Sequence, residues 1–481
     1  MLTRLKVKGF KNLVDLDVRF GPFTCIAGPN GAGKSNLFDA ILLLSRLADQ
    51  SLLEAITSVR GERRSSEAAR VFTRIAGTAS TELSLEAEML VPANALDDLD
   101  QPAQASITGL RYGVALRLRQ VDGSQVPKLE LVREQLDYIK RGDAPSVFPF
   151  AKRKRAWLDS AFTGRRTSPF ISTEESGDGH IVKVHEDSGH QGRTRTLRAE
   201  GLTRTVLSTM NTAESPTALV ARRELQSWRL LQLEPSQLRA PNELKSAGRI
   251  GEDGSGLAAT VSRLFSQAGS NEAAVRAQLT NRLAELVETV RDVRVDVDDK
   301  RELITLLARG VDGIEHRARD LSDGTLRFLA LAVLELDRSW RGTLCMEEPE
   351  NGIHPTRIPA ILDLLQSLAT DIDAEVDDSN PLRQVIINTH SPEVAALVPE
   401  DSLLVTDPRS VRSGGLQLLP LAATWRAVDG VETVAPGTVL EMLHATRAAL
   451  VAARDDKRNL VGTRPELMEQ LDLPLDTIED R

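Results

Sequence analysis

Eight residues, Gly28-Pro29-Asn30-Gly31-Ala32-Gly33-Lys34-Ser35, constrain this chain more than any other segment. They fit the phosphate-loop pattern G-x-x-x-x-G-K-[ST] at every defined position. The apolar run before them, FTCIAG (23–28), reads as a compact buried strand. After them, SNLFDAILLLSRLA (35–48) carries apolar residues at helical spacing. In a strand–loop–helix unit, glycines let backbone N–H groups turn inward around a phosphate, and the positive end of the helix faces it. The pattern therefore predicts a triphosphate site. Asn30, Gly31, Ala32, Gly33 and Asn36 would lie against ATP, with Lys34 as the mobile cation for its β- and γ-phosphates. The Ser35 hydroxyl would ligate Mg2+.

The second half of such a site is an acidic strand end. GTLCMEEPENGIHP (342–355) has an apolar strand that delivers Glu347 and Glu348 at its C-terminal end. The first carboxylate would hold the metal through water, and the second would polarise the attacking water. Two further pieces follow the same order along the chain. Leu321-Ser322-Asp323-Gly324-Thr325 precedes an apolar helix, LRFLALAVLEL (326–336). Ser322 suits an N-cap, and Gly324 leaves N–H groups free for an anion. QVIINTHSPE (384–393) reads as a buried strand ending at His390, which would point into the nucleotide crevice and bond the γ-phosphate.

With these four pieces in place, the chain resembles the ABC-type ATPases of the SMC, RecF and OLD group. GPNGAGKS (28–35), LSDGT (321–325), EEPENGIHP (347–355) and NTHSP (388–392) carry the likeness. It covers about half the chain and is closest to the compact AAA-family members that lack a coiled-coil arm and a Toprim nuclease domain. It implies an α/β fold: an ABC-type phosphate-loop head with a mainly parallel sheet flanked by helices, an antiparallel β lobe and a peripheral insertion. Asp is more usual in the group where this chain has Glu347. The opening KVKGFKNL (6–13) resembles the group's first strand and turn, which would bring Lys11 and Asn12 near the nucleotide. The resemblance also implies a homodimer, with the phosphate loop of one copy facing Ser322 and Gly324 of the other. No glutamine linking nucleotide to the antiparallel lobe stands out. Gln50 and Gln120 are the candidates, and neither is assigned.

The remaining segments suggest four parts. Residues 1–140 hold the phosphate loop and, at 81–91, 107–119 and 127–136, alternating runs expected to form an antiparallel sheet. NALDDLDQP (94–102) reads as a surface loop. Residues 141–270 read as an insertion (about 141–215) followed by connecting helices, with 215–235 helical. Residues 271–425 complete the head, with a helix at 272–290 and a strand pair at 293–299 and 302–309. Residues 426–481 form a helical appendage, with a helix expected at 438–456.

Composition narrows the function classes. The formal net charge of −9 over 481 residues gives no global argument for nucleic-acid binding, so any such surface is local. AKRKRAWLDSAFTGRR (151–166) and GRTRTLRAEGLTR (192–204) are basic, and Trp157 and Phe162 interleave the first of them. Such a patch could follow a phosphate backbone. Cys25 and Cys345 sit in apolar runs and read as free thiols in a reducing cytoplasm. No segment has the roughly 18 apolar residues of a membrane span, so no membrane contact is expected.

The leading expectation is an ATPase whose head pairing serves a DNA-related process, genome repair or antiviral defence, with a nuclease or toxin as effector partner. The alternative is an ATPase that regulates such a partner without touching DNA. A nuclease within the chain is not expected, because SLLVTDPRS (402–410) lacks the glutamate and no Asp-x-Asp follows. A transporter subunit is the least favoured reading, since no membrane domain is fused. His180, His185 and His190 recur five apart, a spacing that sends neighbours on a strand to opposite faces and argues against a metal site.

Overall fold

The computed structural model describes all residues except 60–64, 76–77, 120–127, 178, 188–193, 288–289, 411–413, 429 and 444–481. The chain opens with β1 (Leu2–Phe10) and β2 (Leu13–Arg19), an antiparallel pair in which Val7 faces Leu16 and Lys6 faces Asp17. The turn between them holds Lys11 at a left-handed φ of 47°. Buried and exposed residues alternate along both strands, as a one-sided sheet requires.

These strands close one edge of an eight-stranded antiparallel sheet. Its spatial order runs Arg195–Arg198, Gly179–Val184, Ile171–Ser176, Lys128–Tyr138, Gly109–Arg119, Glu82–Leu90, β1, β2. The alternating runs at 81–91, 107–119 and 127–136 are thus strands of one sheet. The segment after residue 141 extends the same sheet at its far edge. Its short helix Arg155–Ala161 drives Trp157 into the core, where Trp157 and Phe162 are each 1% exposed. Both rings are shut away from solvent, so neither can stack on a base. The basic neighbours had suggested an exposed strip, but the free energy of burying an aromatic ring outweighs that local composition.

Two other readings are corrected. The segment 94–102 is no plain loop: Asn94–Leu96 and Pro102–Gln104 pair as a short hairpin. The helix expected over 215–235 ends at Gln226, and Arg229–Leu231 is a strand. That strand is bonded in parallel to Gly342–Glu347, which offers a ready edge. Most of the helix expected at 438–456 lies outside the described residues.

The second sheet has six strands in the order Arg229–Leu231, Gly342–Glu347, Arg383–Thr389, β3 (Phe23–Ala27), Leu403–Thr406, Leu418–Pro420. All neighbours run parallel except the last pair. It is buried on both faces, which explains why its strands read as continuous apolar runs. Ile26, Cys345 and Ile386 face the core shared with the antiparallel lobe and with α1 (Lys34–Leu47). Cys25, Leu344, Met346, Val385 and Ile387 face a second core, packed by the helices Asp323–Leu336 and Ile358–Ser367.

One buried side chain ties the two sheets together. Gln384, fully buried, accepts from the N–H of Leu2 and donates to the carbonyls of Leu2 and Gly21. Its oxygen also accepts from the Thr343 hydroxyl at 2.8 Å. A third, smaller sheet contains the expected pair Val290–Asp298 and Leu303–Gly310 and packs on the helices Leu257–Ala268 and Glu272–Leu286.

Candidate active site

Three loops meet at the C-terminal ends of three adjacent parallel strands. β3 ends in the phosphate loop, Arg383–Thr389 ends at His390, and Gly342–Glu347 ends at Glu348. Backbone bonds stitch them side by side: Gly28 N–H donates to Thr389 O at 3.0 Å, and Glu348 N–H donates to Asn388 O at 3.0 Å. This is where open α/β sheets bind ligands, because helix N-termini and strand ends converge there.

The phosphate loop needs its glycines. Gly31 and Gly33 have φ of 85° and 98°, the left-handed region that other residues enter at a cost. A Cβ on Gly33 would also fall 1.9 Å from Asn12 Nδ2. Asn12 braces the loop from the lobe: its amide donates to Ala32 O, and its oxygen accepts from Asn36 Nδ2 at 2.7 Å. Lys11 is ion-paired with the buried Asp39 of α1 at 2.7 Å. Asn30 and Gly31 are exposed at the rim, Ala32 is buried, and Gly33, Ser35 and Asn36 are half-buried.

Lys34 is 5% exposed and donates to the carbonyls of Gly28 and Pro29 at 2.6 and 3.0 Å. Burial pushes its ammonium down to about 8, against the pull of Glu348, Glu350 and Glu347, which favour the charged form. The only hydrogen bonds of this ammonium among the described residues are thus to neutral carbonyls. An incoming phosphate would restore its ordinary basicity.

The carboxylates are arranged by the neighbouring loop. Glu347 and Glu348 are both half-buried. Asn388 Nδ2 reaches Glu347 Oε1 at 3.4 Å. Glu348 has φ of 44°, a strained left-handed conformation for a non-glycine residue. Its two oxygens have separate partners. Oε1 is 2.9 Å from His390 Nδ1, and Oε2 accepts from Asn351 Nδ2 at 2.7 Å.

Glu350, which sequence reasoning passed over, is 8% exposed and accepts a short bond from the Thr389 hydroxyl. The same hydroxyl accepts from Ser391 N–H at 2.9 Å, so Glu350 anchors the loop that carries His390. Burial raises its carboxyl above the usual range.

Ser322 caps the helix Asp323–Leu336, its hydroxyl accepting from Thr325 N–H at 3.2 Å. Arg239 fixes this turn by donating to Leu321 O and pairing with Asp323. A Cβ on Gly324 would meet Ile353 Cδ1 at 3.7 Å, ordinary contact, so nothing inside one chain demands a glycine there. Ser322 is exposed at the surface.

Of the histidine triplet, His180 and His185 have separate partners: His180 Nδ1 lies 3.3 Å from Glu200, and His185 Nε2 lies 2.9 Å from the Ser172 hydroxyl. His190 and Gln120 lie outside the described residues. Gln50 is half-buried just after α1.

A protein-family profile described as "AAA domain, putative AbiEii toxin, Type IV TA system" matches residues 23–396. Among curated proteins, the OLD nuclease of Thermus scotoductus is 54% identical over 44 residues, 9% of this chain and 8% of that protein. The DNA replication and repair protein RecF of Magnetococcus marinus is 51% identical over 45 residues, 9% of this chain and 12% of that protein. The matched stretch therefore spans about a tenth of these relatives' own length. Among solved structures, the chain is similar to an Smc head bound to the C-winged helix domain of ScpA. There the TM-score is 0.46 and the identity 14%, covering 88% of this chain and 98% of that one. A second, the Smc head with an extended coiled coil bound to the C-terminal domain of ScpA from Pyrococcus furiosus, has a TM-score of 0.42 and 12% identity, covering 87% and 95%.

Proposed function

We infer how this site works from the family to which the chain belongs, the AAA-domain family just described: it is a nucleotide-binding ATP hydrolase of the AAA/ABC type, with stretches similar to RecF and OLD proteins. The observation that carries the mechanism is the lateral bonding of three loops at three strand ends, which brings Lys34, Glu348 and His390 to one edge. Lys34 leaves the carbonyls of Gly28 and Pro29 for the β- and γ-phosphates. Asn30, Gly31, Ala32, Gly33 and Asn36 line the loop around them, with Asn12 and Lys11 bracing it from behind. Glu348 orients the attacking water and takes its proton, and His390 donates to the γ-phosphate.

Mg2+ fits the donor set. Among the described residues no three His, Cys, Asp or Glu side chains form a metal cage. Mg2+ is usually bound by one or two protein oxygens plus substrate phosphates and water. Ser35 and Glu347, both half-buried, would supply those oxygens, and the ion would neutralise phosphate charge.

The site is completed by a second copy, whose exposed Ser322 and half-buried Gly324 close over the triphosphate. Glu348→Gln tests this. With Mg-ATP it is expected to hydrolyse at least about 100-fold more slowly, since general-base loss is worth that scale, and to accumulate as a dimer in light scattering. A variant that stays monomeric would overturn the pairing.

We further propose that head pairing serves a DNA-related process, repair or defence against invading genomes, through an effector protein in the cytoplasm. Support comes from the likeness to a nuclease and to a DNA replication and repair protein, and from a family description that names a toxin. Any DNA contact would fall on the basic segment 151–204, where Lys152, Arg153, Arg155, Arg165, Arg195, Arg198 and Arg204 are exposed. One observation favours the second reading, an ATPase that governs a nuclease or toxin without binding DNA. Lys154 pairs with Asp373 and Arg166 with Asp187, while Trp157 and Phe162 are buried. Titration of a labelled duplex at two salt concentrations separates the readings, because phosphate contacts weaken steeply with salt. No described helix is long and apolar enough to cross a membrane.

A further inference from the structure

The loop after Glu348 joins two parts of the site that the mechanism leaves unconnected. Asn351 faces both ways. Its side-chain amide donates to Glu348 Oε2 at 2.7 Å, and its backbone carbonyl accepts a short bond from Arg327 Nη1. Arg327 belongs to the helix capped by Ser322, two residues beyond Thr325.

The intervening turn is stiff. Asn351 N–H returns to Glu348 O at 3.0 Å, and Ile353 N–H returns to Glu350 O at 3.0 Å. Gly352 takes a left-handed φ of 75°, and Ile353 is inserted into the core beneath the same helix. Movement of the helix tip therefore has a short, hydrogen-bonded route to the Glu348 carboxylate.

That carboxylate is held from two sides: His390 bonds one oxygen and Asn351 the other. Each oxygen keeps a further lone pair, but the two bonds together fix the direction in which the carboxylate faces, so turning it toward an attacking water requires one of them to open. Arg327 is suited to change partners. Its Nε is buried with no hydrogen-bond partner among the described residues, a costly arrangement that another position of the side chain would relieve.

We propose that Asn351 is a latch on Glu348, and that Arg327 opens it when a second copy's nucleotide docks on Ser322 and Gly324. This rests on the paired-head reading above. Both are positioning residues: Asn351 holds the base in a resting orientation in the lone subunit, and Arg327 transmits the docking event to it. Hydrolysis is thereby withheld until the heads close.

The test is ATP turnover measured across protein concentrations that span head pairing, with the full chain and Mg-ATP. The unmodified protein should turn over faster per subunit as concentration rises. Asn351→Ala should raise turnover about tenfold at low concentration and flatten the dependence. Asn351→Asp, whose charge repels Glu348, should act in the same direction. Arg327→Ala should lower turnover at high concentration, while dimer formation in a Glu348→Gln background is kept. The double variant Arg327→Ala with Asn351→Ala should behave as Asn351→Ala alone, because a missing latch needs no opener. If both asparagine variants lower turnover in parallel at every concentration, or the arginine and asparagine effects multiply, the latch is overturned while the paired heads stand. Turnover of the unmodified protein that ignores concentration would overturn both.

Discussion

Nδ1 of His390 lies 2.9 Å from Oε1 of Glu348, although 41 residues separate them and they end different strands. The group suited to meet the γ-phosphate is thus in direct contact with the group suited to activate water. His390→Ala should lower single-turnover hydrolysis by about 100-fold, the scale of one lost acid–base partner. Nucleotide affinity should change little. Unchanged hydrolysis in quench-flow would remove His390 from the chemistry.

Lys34 makes nucleotide binding pH-dependent. Its ammonium is held down to about 8 by burial, and phosphate oxygens would raise it again. Below that pH the cation is present and affinity should be flat. Above it, binding must draw in a proton, so affinity should fall by up to about tenfold per pH unit. Calorimetry with a non-hydrolysable analogue at pH 7, 8 and 9 reads this slope. A flat profile would place the binding cation elsewhere.

Ser322→Arg should block head pairing and leave nucleotide binding by the lone subunit intact, because Ser322 is exposed and its hydroxyl bonds only within its own helix cap, to Thr325. Light scattering with Mg-ATP and a fluorescent nucleotide check the two halves. Pairing that survives the arginine would move the interface.

Glu134 supplies a stability signature independent of the site. It is fully buried under the lobe and accepts from Val206 N–H, Leu207 N–H and the Tyr112 hydroxyl. Burial lifts its carboxyl from 4.5 to about 7. Between those values the folded chain keeps a proton that the unfolded chain has released, so stability falls as pH rises through the window. The slope contributed is at most about 1.4 kcal/mol per pH unit. Glu134→Gln should abolish this contribution, seen as a flatter set of urea midpoints from pH 5 to 7. An unchanged slope would assign the effect to other groups.

How much was legible beforehand follows from how local each feature is. The phosphate loop was readable because its shape is dictated by contiguous glycines and by the strand and helix on either side. The acidic strand and the histidine strand were readable because a sheet buried on both faces leaves unbroken apolar runs. Glu350 was not readable. It sits two residues from an obvious acidic pair, and only its bond to Thr389, from a distant strand, marks it as buried. Arg229–Leu231 was missed because three residues carry no period of their own and become a strand only beside Gly342–Glu347. Trp157 and Phe162 misled for the opposite reason: their basic neighbours are solvated, but the aromatic rings turn the other way.

The left-handed backbone at Glu348 puts durability and turnover in opposition at a single position. Glycine there would relieve roughly 1 kcal/mol or more of backbone strain, but it would give up the bonds to His390 and Asn351 and, on the proposed mechanism, the group that draws a proton from water. A backbone made more comfortable at this one position would thus be gained at the expense of the proposed chemistry.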